Sequence, residues 1–235
     1  MRRVTCSELL DDDRGTPREV KDSLDDIWRV NRWLGGLSNS LQLLESFLAQ
    51  AGAHPVRILD VGAGDSRLAG HLQVELRKRR VRADFTVLDR RLSHLLNGHH
   101  SLTVRRAVVA DVFALPFAEG SFNVVMCNLL FHHFSGQRAE QLLSRLAAIA
   151  SEAVLISDVE RHWLPYRFLR HFPWLARSPM TRHDGPASVR QAYTCDELAA
   201  LARAAGFSGF EVRRFVPFWL GLTLWNFAPR RRGEN

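Results

Sequence analysis

The chain has 235 residues, 46% of them hydrophobic and 24% charged, which is ample apolar material for the core of one α/β domain. Its three cysteines, Cys6, Cys127 and Cys195, show no C-x-x-C spacing, which argues against a disulfide framework or structural zinc site and for a reducing compartment. The first residues hold no apolar core run and eighteen uninterrupted apolar residues occur nowhere, so neither a signal peptide nor a membrane span is expected, and a cytoplasmic location is the default.

In chain order, residues 1–30 are slightly acidic, and Asp11-Asp12-Asp13 reads as a solvated or disordered start. From Pro17 to Leu34 the apolar positions Val20, Leu24, Ile27, Trp28 and Leu34 recur at helical spacing, and Gly35-Gly36 stops the helix. A second helix is expected from Leu41 to Ala51, capped by Asn39 or Ser40 and ended by Gly52. From Arg57 a short apolar run, a strand, stops at Asp60 and opens into the glycine-spaced turn around Gly62 and Gly64, and a basic helix follows over Arg67–Arg80. Three more strands are expected at Asp84–Asp89, Thr103–Val112 and Ser121–Asn128, then a helix at Gln137–Ala150 and a fifth strand at Ala153–Asp158. The segment Glu160–Tyr193 is too apolar for a linker. Its first half interleaves Trp163, Leu164, Tyr166, Phe168, Leu169, Phe172, Trp174 and Leu175 with Arg161, Arg167, Arg170 and Arg177, as expected of a helical lid with one apolar and one basic side. Such a lid suits a hydrophobic acceptor or contact with a membrane surface. The second half, Thr181–Arg190, reads as a polar, turn-rich loop. A last helix, Asp196–Ala205, and two strands, Phe210–Val216 and Leu222–Phe227, complete the chain. Residues 161–235 hold twelve Arg against five acidic residues, which accounts for the whole formal charge of +7. A basic surface raises nucleic acid or anionic membrane as partners, with an ordinary solvated surface the simpler reading.

Strands alternating with helices predict an α/β fold. Asp60, Asp89, Asp111 and Asn128 stand at or just past the ends of the first four strands, and in open parallel sheets ligands bind beyond those carboxyl ends. Gly62 and Gly64 leave room for a sharp turn and close approach of a ligand. A dinucleotide fingerprint would place a third glycine where Arg67 stands. With Asp60 included the pattern is D-x-G-x-G-x-S, which resembles the first motif of class I S-adenosylmethionine-dependent methyltransferases, with Ser66 in place of the third glycine. The resemblance runs from about Val56 to Asp158, and the loop Leu115-Pro116-Phe117 looks like that of the small-molecule and quinone-type members.

The resemblance implies a seven-stranded, mostly parallel Rossmann-like sheet with helices on both faces, a final antiparallel strand, an N-terminal helical cap (1–53), a cofactor-binding core (54–159), an inserted helical lid after strand five (160–193) and a C-terminal helix and strands (194–235). It implies S-adenosyl-L-methionine as cofactor and S-adenosyl-L-homocysteine as product. The turn Gly62, Ala63, Gly64 and Ser66 would lie under the methionine part and Asp60 near its amino group. Asp89, with Arg90 beside it, would face the ribose hydroxyls. Asp111 and the N–H of Val112 would face the adenine, and Asn128 would close the site. Asn31 and Arg32 are further candidates to reach cofactor or substrate.

For the acceptor, Asn128-Leu129-Leu130-Phe131 lacks the Pro-Pro-aromatic continuation of enzymes that methylate base amines, so nucleic acid is not the expected substrate. The expectation is a small aromatic, polyketide-like or quinone-like acceptor, methylated on oxygen. An RNA methyltransferase and a non-catalytic cofactor-binding protein are the alternatives. A phenol or enol gains from a base whose pKa is near neutrality. His132 and His133, past the fourth strand, and His183 beside Asp184 are the candidates. Arg182, Asp184 and Arg190 are the candidates for binding an acidic or oxygen-rich acceptor. No metal is called for.

Overall fold

The computed structural model describes residues 1–12, 14–51, 54–98, 104 and 106–226. Its centre is one seven-stranded sheet with the order β3-β2-β1-β4-β5-β7-β6. The strands are β1 (Val56–Val61), β2 (Ala83–Asp89), β3 (Arg106–Val109), β4 (Phe122–Asn128), β5 (Ala150–Val159), β6 (Phe210–Phe215) and β7 (Trp219–Trp225). The first five are parallel, and β7 runs antiparallel to both β5 and β6. This is the Rossmann-like α/β architecture expected. The order reverses between β1 and β4, the switch point at which such sheets open a crevice.

The strands read as near-continuous apolar runs because both faces are covered. Alternate residues feed two cores. Ile58, Phe85, Val87, Val124 and Met126 pack with Leu43, Leu44 and Phe47 of α2 (Gly36–Ala51) and Leu68 and Leu72 of α3 (Arg67–Lys78). Leu59, Val61, Leu88, Val125 and Cys127 pack with Leu142, Leu143 and Leu146 of α5 (Gln137–Ile149) and Leu198 and Leu201 of α8 (Cys195–Ala204). A short α4 (Leu92–Asn97), which shows no clear period in the sequence, follows β2.

Several expectations need correction; the fifth strand, for one, starts three residues early, at Ala150. The second helix starts five residues early, because Gly35 (φ 106°) turns the chain directly into it and Asn39 and Ser40 are buried within it; Gly52 lies outside the described residues. The third strand is four residues long, so Asp111 and Val112 lie in the turn beyond it; Thr103 and Arg105 are outside the described residues. The seventh strand starts three residues early, at Trp219, and its expected last residue Phe227 is also outside them. The largest correction is Thr181–Arg190, which is not a loop but lies within α7 (Pro179–Gln191). Ser178 caps that helix by accepting from the Met180 N–H, with Pro179 in its first turn. Its buried face is Met180, Asp184, Ala187 and Gln191, a helical spacing in which two polar residues hide the apolar stripe.

Two segments cover the carboxyl edge. α1 (Pro17–Trp33) is opened by a reciprocal Thr16–Glu19 capping box. The acidic start is no solvated tail but a strap fastened to three elements, because its backbone groups find fixed partners; Asp13 lies outside the described residues. Leu9 and Leu10 N–H donate to the Asp184 carboxylate at 2.9 and 3.1 Å, and Cys6 N–H donates to Gln191 Oε1 at 3.1 Å. The Arg3 guanidinium donates to the His132 and Phe134 carbonyls at 2.8 and 2.9 Å, and the Asp11 carbonyl accepts from Arg90 and Arg91. Between β5 and α7, α6 (Trp163–His171) buries none of its residues and leaves Trp163, Leu164 and Phe168 exposed. No helix among the described residues is long and apolar enough to cross a membrane.

Candidate active site

The strand ends and the strap enclose a cavity of about 480 Å3, the size of a pocket for a cofactor or small ligand. Asp60, Gly62, Ala63, Gly64, Asp89, Arg90, Asp111, Val112 and Asn128 all line it, as does His133. Gly62 (φ 71°) and Gly64 (φ 55°) form the turn. A Cβ on Gly62 would meet Leu130 Cδ2 at 2.7 Å, so this glycine is required twice over, for its dihedral and for its space. Ser66 does not reach the cavity wall. It precedes α3 in the left-handed conformation (φ 64°), one that glycine adopts without strain.

The acidic residues differ in how their charge is met. Gly64 and Arg91 N–H groups donate to the two oxygens of Asp89 at 2.8 and 2.9 Å, which fixes the carboxylate and leaves lone pairs for a further donor. Asp111 Oδ1 accepts from Phe113 N–H at 2.8 Å. Asp60 is 1% exposed, and its Oδ2 has no hydrogen-bond partner. Burial, and secondarily the charge of Asp89, pushes its carboxyl up to about 7. Asn128 donates to Asn31 Oδ1 at 2.9 Å, and its own Oδ1 is buried without a partner; Asn31 also lines the cavity.

At the other end lies a cluster of two histidines and three carboxylates. Past β4 a 3-10 turn, Phe131–His133, carries both rings. His132 is 3% exposed and lies behind the wall, with Nδ1 at 2.8 Å from Asp158 Oδ1 and Nε2 at 3.4 Å from Glu8 Oε1. Burial alone would lower its pKa. Asp158 and Glu8 outweigh that and carry it to about 10. His133 has Nδ1 at 3.0 Å from Asp11 Oδ2 and Nε2 at 3.9 Å from Glu8 Oε2. Burial would raise the carboxyls of Glu8 and Asp11, but the two histidines hold both below the usual range.

The α7 candidates are not brought to the cavity. His183 stacks its Nδ1 against Asp184 at 2.8 Å with its side chain 55% exposed, and Asp184 is committed to the strap. Arg182 donates to the Ala176 carbonyl and Arg190 receives the Val4 N–H on its carbonyl; neither lines the cavity. The wall instead contains Thr5, Cys6, Glu8, Leu10 and Asp11 of the strap, Trp28 of α1, and Phe113 and Phe134. Irregular backbone has no period, so the strap residues carry no sequence signal; Phe134 was marked only by its neighbours in F-H-H-F.

A family model described as a methyltransferase domain matches residues 58–152. That match spans the strands and helices around the glycine turn, somewhat under half of the chain. Solved structures share its fold at low identity. The plantazolicin methyltransferase BpumL, in complex with a pentazolic desmethylPZN analogue and S-adenosylhomocysteine, is 14% identical with a TM-score of 0.66, over 88% of this chain and 96% of that one. A S-adenosylmethionine-dependent methyltransferase from Aquifex aeolicus is 16% identical, TM-score 0.59, over 90% and 98%. Human N-acetylserotonin methyltransferase in complex with S-adenosylmethionine is 14% identical, TM-score 0.60, over 87% and 54%. No curated protein matches the sequence. The matched stretch runs from β1 through β4 and α5 into β5, the part of the sheet that flanks the switch point.

Proposed function

We propose that the protein transfers a methyl group from S-adenosylmethionine to oxygen of a small aromatic, polyketide-like or quinone-like acceptor. The observation that carries this reading is Asp60: a carboxylate buried on the cavity wall, with one oxygen unpartnered, beside a glycine turn. A buried carboxylate of that kind calls for a cation, and the methionine part of the cofactor is cationic. Asp60 and the Asn128 amide would hold its amino group, the free lone pairs of Asp89 the ribose hydroxyls, and Asp111 with the Val112 N–H the adenine. The bound ligands of BpumL and of the human enzyme support the cofactor assignment.

When bound, the cofactor supplies a methyl group on a sulfonium, a leaving group that needs no proton. The chain then has to align the acceptor, exclude water and take the acceptor's proton. Leu10, Trp28, Phe113 and Phe134 give the cavity its apolar walls, suited to a flat, largely apolar acceptor. His133 is the one histidine of the three candidates on that wall. Asp11 faces its Nδ1 at 3.0 Å and orients the ring, so that Nε2 lies toward Glu8 and the cavity, the nitrogen placed to meet an acceptor hydroxyl. Asp184, with His183 against it, acts through the strap as a positioning residue.

The test is calorimetric titration with S-adenosylhomocysteine, followed by incubation with labelled S-adenosylmethionine and a panel of phenols, quinols and cell extract, read by mass spectrometry. Wild type should bind the product and label an acceptor, and Gly62→Arg should bind nothing. Undiminished binding by Gly62→Arg would sink the site assignment. Cofactor binding without labelling of any acceptor would point to a non-catalytic cofactor-binding role.

A further inference from the structure

Four features of the histidine cluster go beyond what a proton acceptor needs. First, one ligand atom from each of Glu8, His132 and His133 lies within 4.8 Å of the others, the only such grouping among the described residues. Second, both imidazoles face the same carboxylate: Nε2 of His132 is 3.4 Å from one oxygen of Glu8, Oε1, and Nε2 of His133 is 3.9 Å from the other, Oε2. Ligand atoms on a tetrahedral cation with bonds of about 2.1 Å stand about 3.4 Å apart. Third, each ligand is oriented from behind. Asp158 faces Nδ1 of His132 at 2.8 Å, Asp11 faces Nδ1 of His133 at 3.0 Å, and Ser188 Oγ and Gln191 Nε2 donate to Glu8 Oε1 at 2.6 and 3.0 Å. A carboxylate behind each imidazole fixes the tautomer in which Nε2 is the free lone pair, the arrangement typical of metal-bound histidine. Fourth, His132 Nε2 is buried and faces Glu8 Oε1 at 3.4 Å without making a hydrogen bond to it.

We infer that Glu8, His132 and His133 form a site for one divalent cation of the zinc type, with its open position on the cavity. Two imidazoles and one carboxylate select Zn2+ and neighbouring transition ions over Mg2+ or Ca2+, whose ligands are oxygens. Glu8 and His133 line the cavity while His132 stands behind it, so three protein ligands would leave the remaining coordination position to a substrate oxygen, as in catalytic zinc sites. This deepens the methyl-transfer reading and rests on it. The acceptor becomes one with a phenol or enol oxygen, bound to the cation as the oxyanion; its proton would pass to solvent on coordination, because the cation lowers the hydroxyl's pKa, and His133 would then serve as a ligand in place of the base.

The experiment is equilibrium dialysis and calorimetry of the metal-stripped full chain with Zn2+, alongside S-adenosylhomocysteine binding on the same sample. Wild type and His183→Ala should bind one Zn2+. Glu8→Gln and His133→Ala should lose more than about a hundredfold in affinity, and Asp11→Asn about ten- to a hundredfold. Loading wild type with Co2+ should give two paramagnetically shifted imidazole N–H resonances, from the Nδ1 protons facing Asp158 and Asp11; this readout decides the matter if a variant fails to fold. A wild type that takes up no Zn2+, Glu8 and His133 variants that bind as well as wild type, or Co2+ without shifted imidazole signals overturns the site. Failure of metal binding with S-adenosylhomocysteine still bound removes this inference alone, whereas loss of S-adenosylhomocysteine binding removes the methyl-transfer reading.

Discussion

Replacing Asp60 by Asn isolates the charge that the empty cavity leaves unbalanced. The Asp60 carboxyl moves from 3.8 to about 7, through burial first and the charge of Asp89 second. At 1.36 kcal/mol per pKa unit, the ionised form is disfavoured in the empty folded protein by roughly 4 kcal/mol. The folded value lies above the unfolded one, so the stability this group contributes is fully present below about pH 4 and is lost as pH rises to about 7. A bound cation reverses the preference. At about pH 6.5 roughly three-quarters of the empty molecules carry the proton, and binding S-adenosylmethionine should expel it, while the ligand's own amine is already charged and takes up none. Titration calorimetry in two buffers of different ionisation enthalpy reads this as a release of about 0.7 proton by wild type and none by Asp60→Asn. Equal heats in the two buffers for wild type, or the same release from the variant, would refute the argument that Asp60 faces the cofactor's positive end.

Gly62→Ala forces a Cβ to within 2.7 Å of Leu130 at a φ of 71°; cofactor affinity should fall more than about tenfold, and the melting temperature should drop by roughly 2–12 °C, as strain on the order of 1–3 kcal/mol requires. Phe131→Ala removes a ring that is 1% exposed and packs on Tyr193 at 5.6 Å between centroids. Urea unfolding should show a loss of about 3–5 kcal/mol, and a loss under 1 kcal/mol would mean that the 3-10 turn is not anchored by that side chain. Asp184→Ala strips the acceptor from the Leu9 and Leu10 N–H groups. It should cost about 1–3 kcal/mol and raise amide exchange at Leu9 and Leu10 well above that of β1; unchanged exchange would show that the strap is held elsewhere.

What the sequence made legible was whatever repeats or ends abruptly. Buried parallel strands are continuous apolar runs, and a polar residue stands at or near the end of each of the first four because a parallel sheet exposes all its carboxyl ends on one edge; Asp60, Asp89, Asp111 and Asn128 converge for that topological reason. The α7 helix was hidden because Gly185-Pro186 imitates a turn and because Asp184 and Gln191 occupy its inner face as anchors for the strap. The strap itself has no period. Its role depends on partners more than a hundred positions away, such as His132 for Arg3 and Asp184 for Leu9, and Asp11, from a run that read as solvated, faces His133. His132 and His133 were marked by position but not by function, since the carboxylates that define them come from Glu8, Asp11 and Asp158.

The strap does two jobs with the same residues. It roofs the cavity, and it brings Glu8 and Asp11 to His132 and His133. Any opening wide enough to admit an acceptor past this segment therefore carries two of the three carboxylates away from the histidines. The charge cluster therefore holds only while the roof is in place: displacing the strap would widen the cavity mouth and strip His132 and His133 of Glu8 and Asp11 in the same movement.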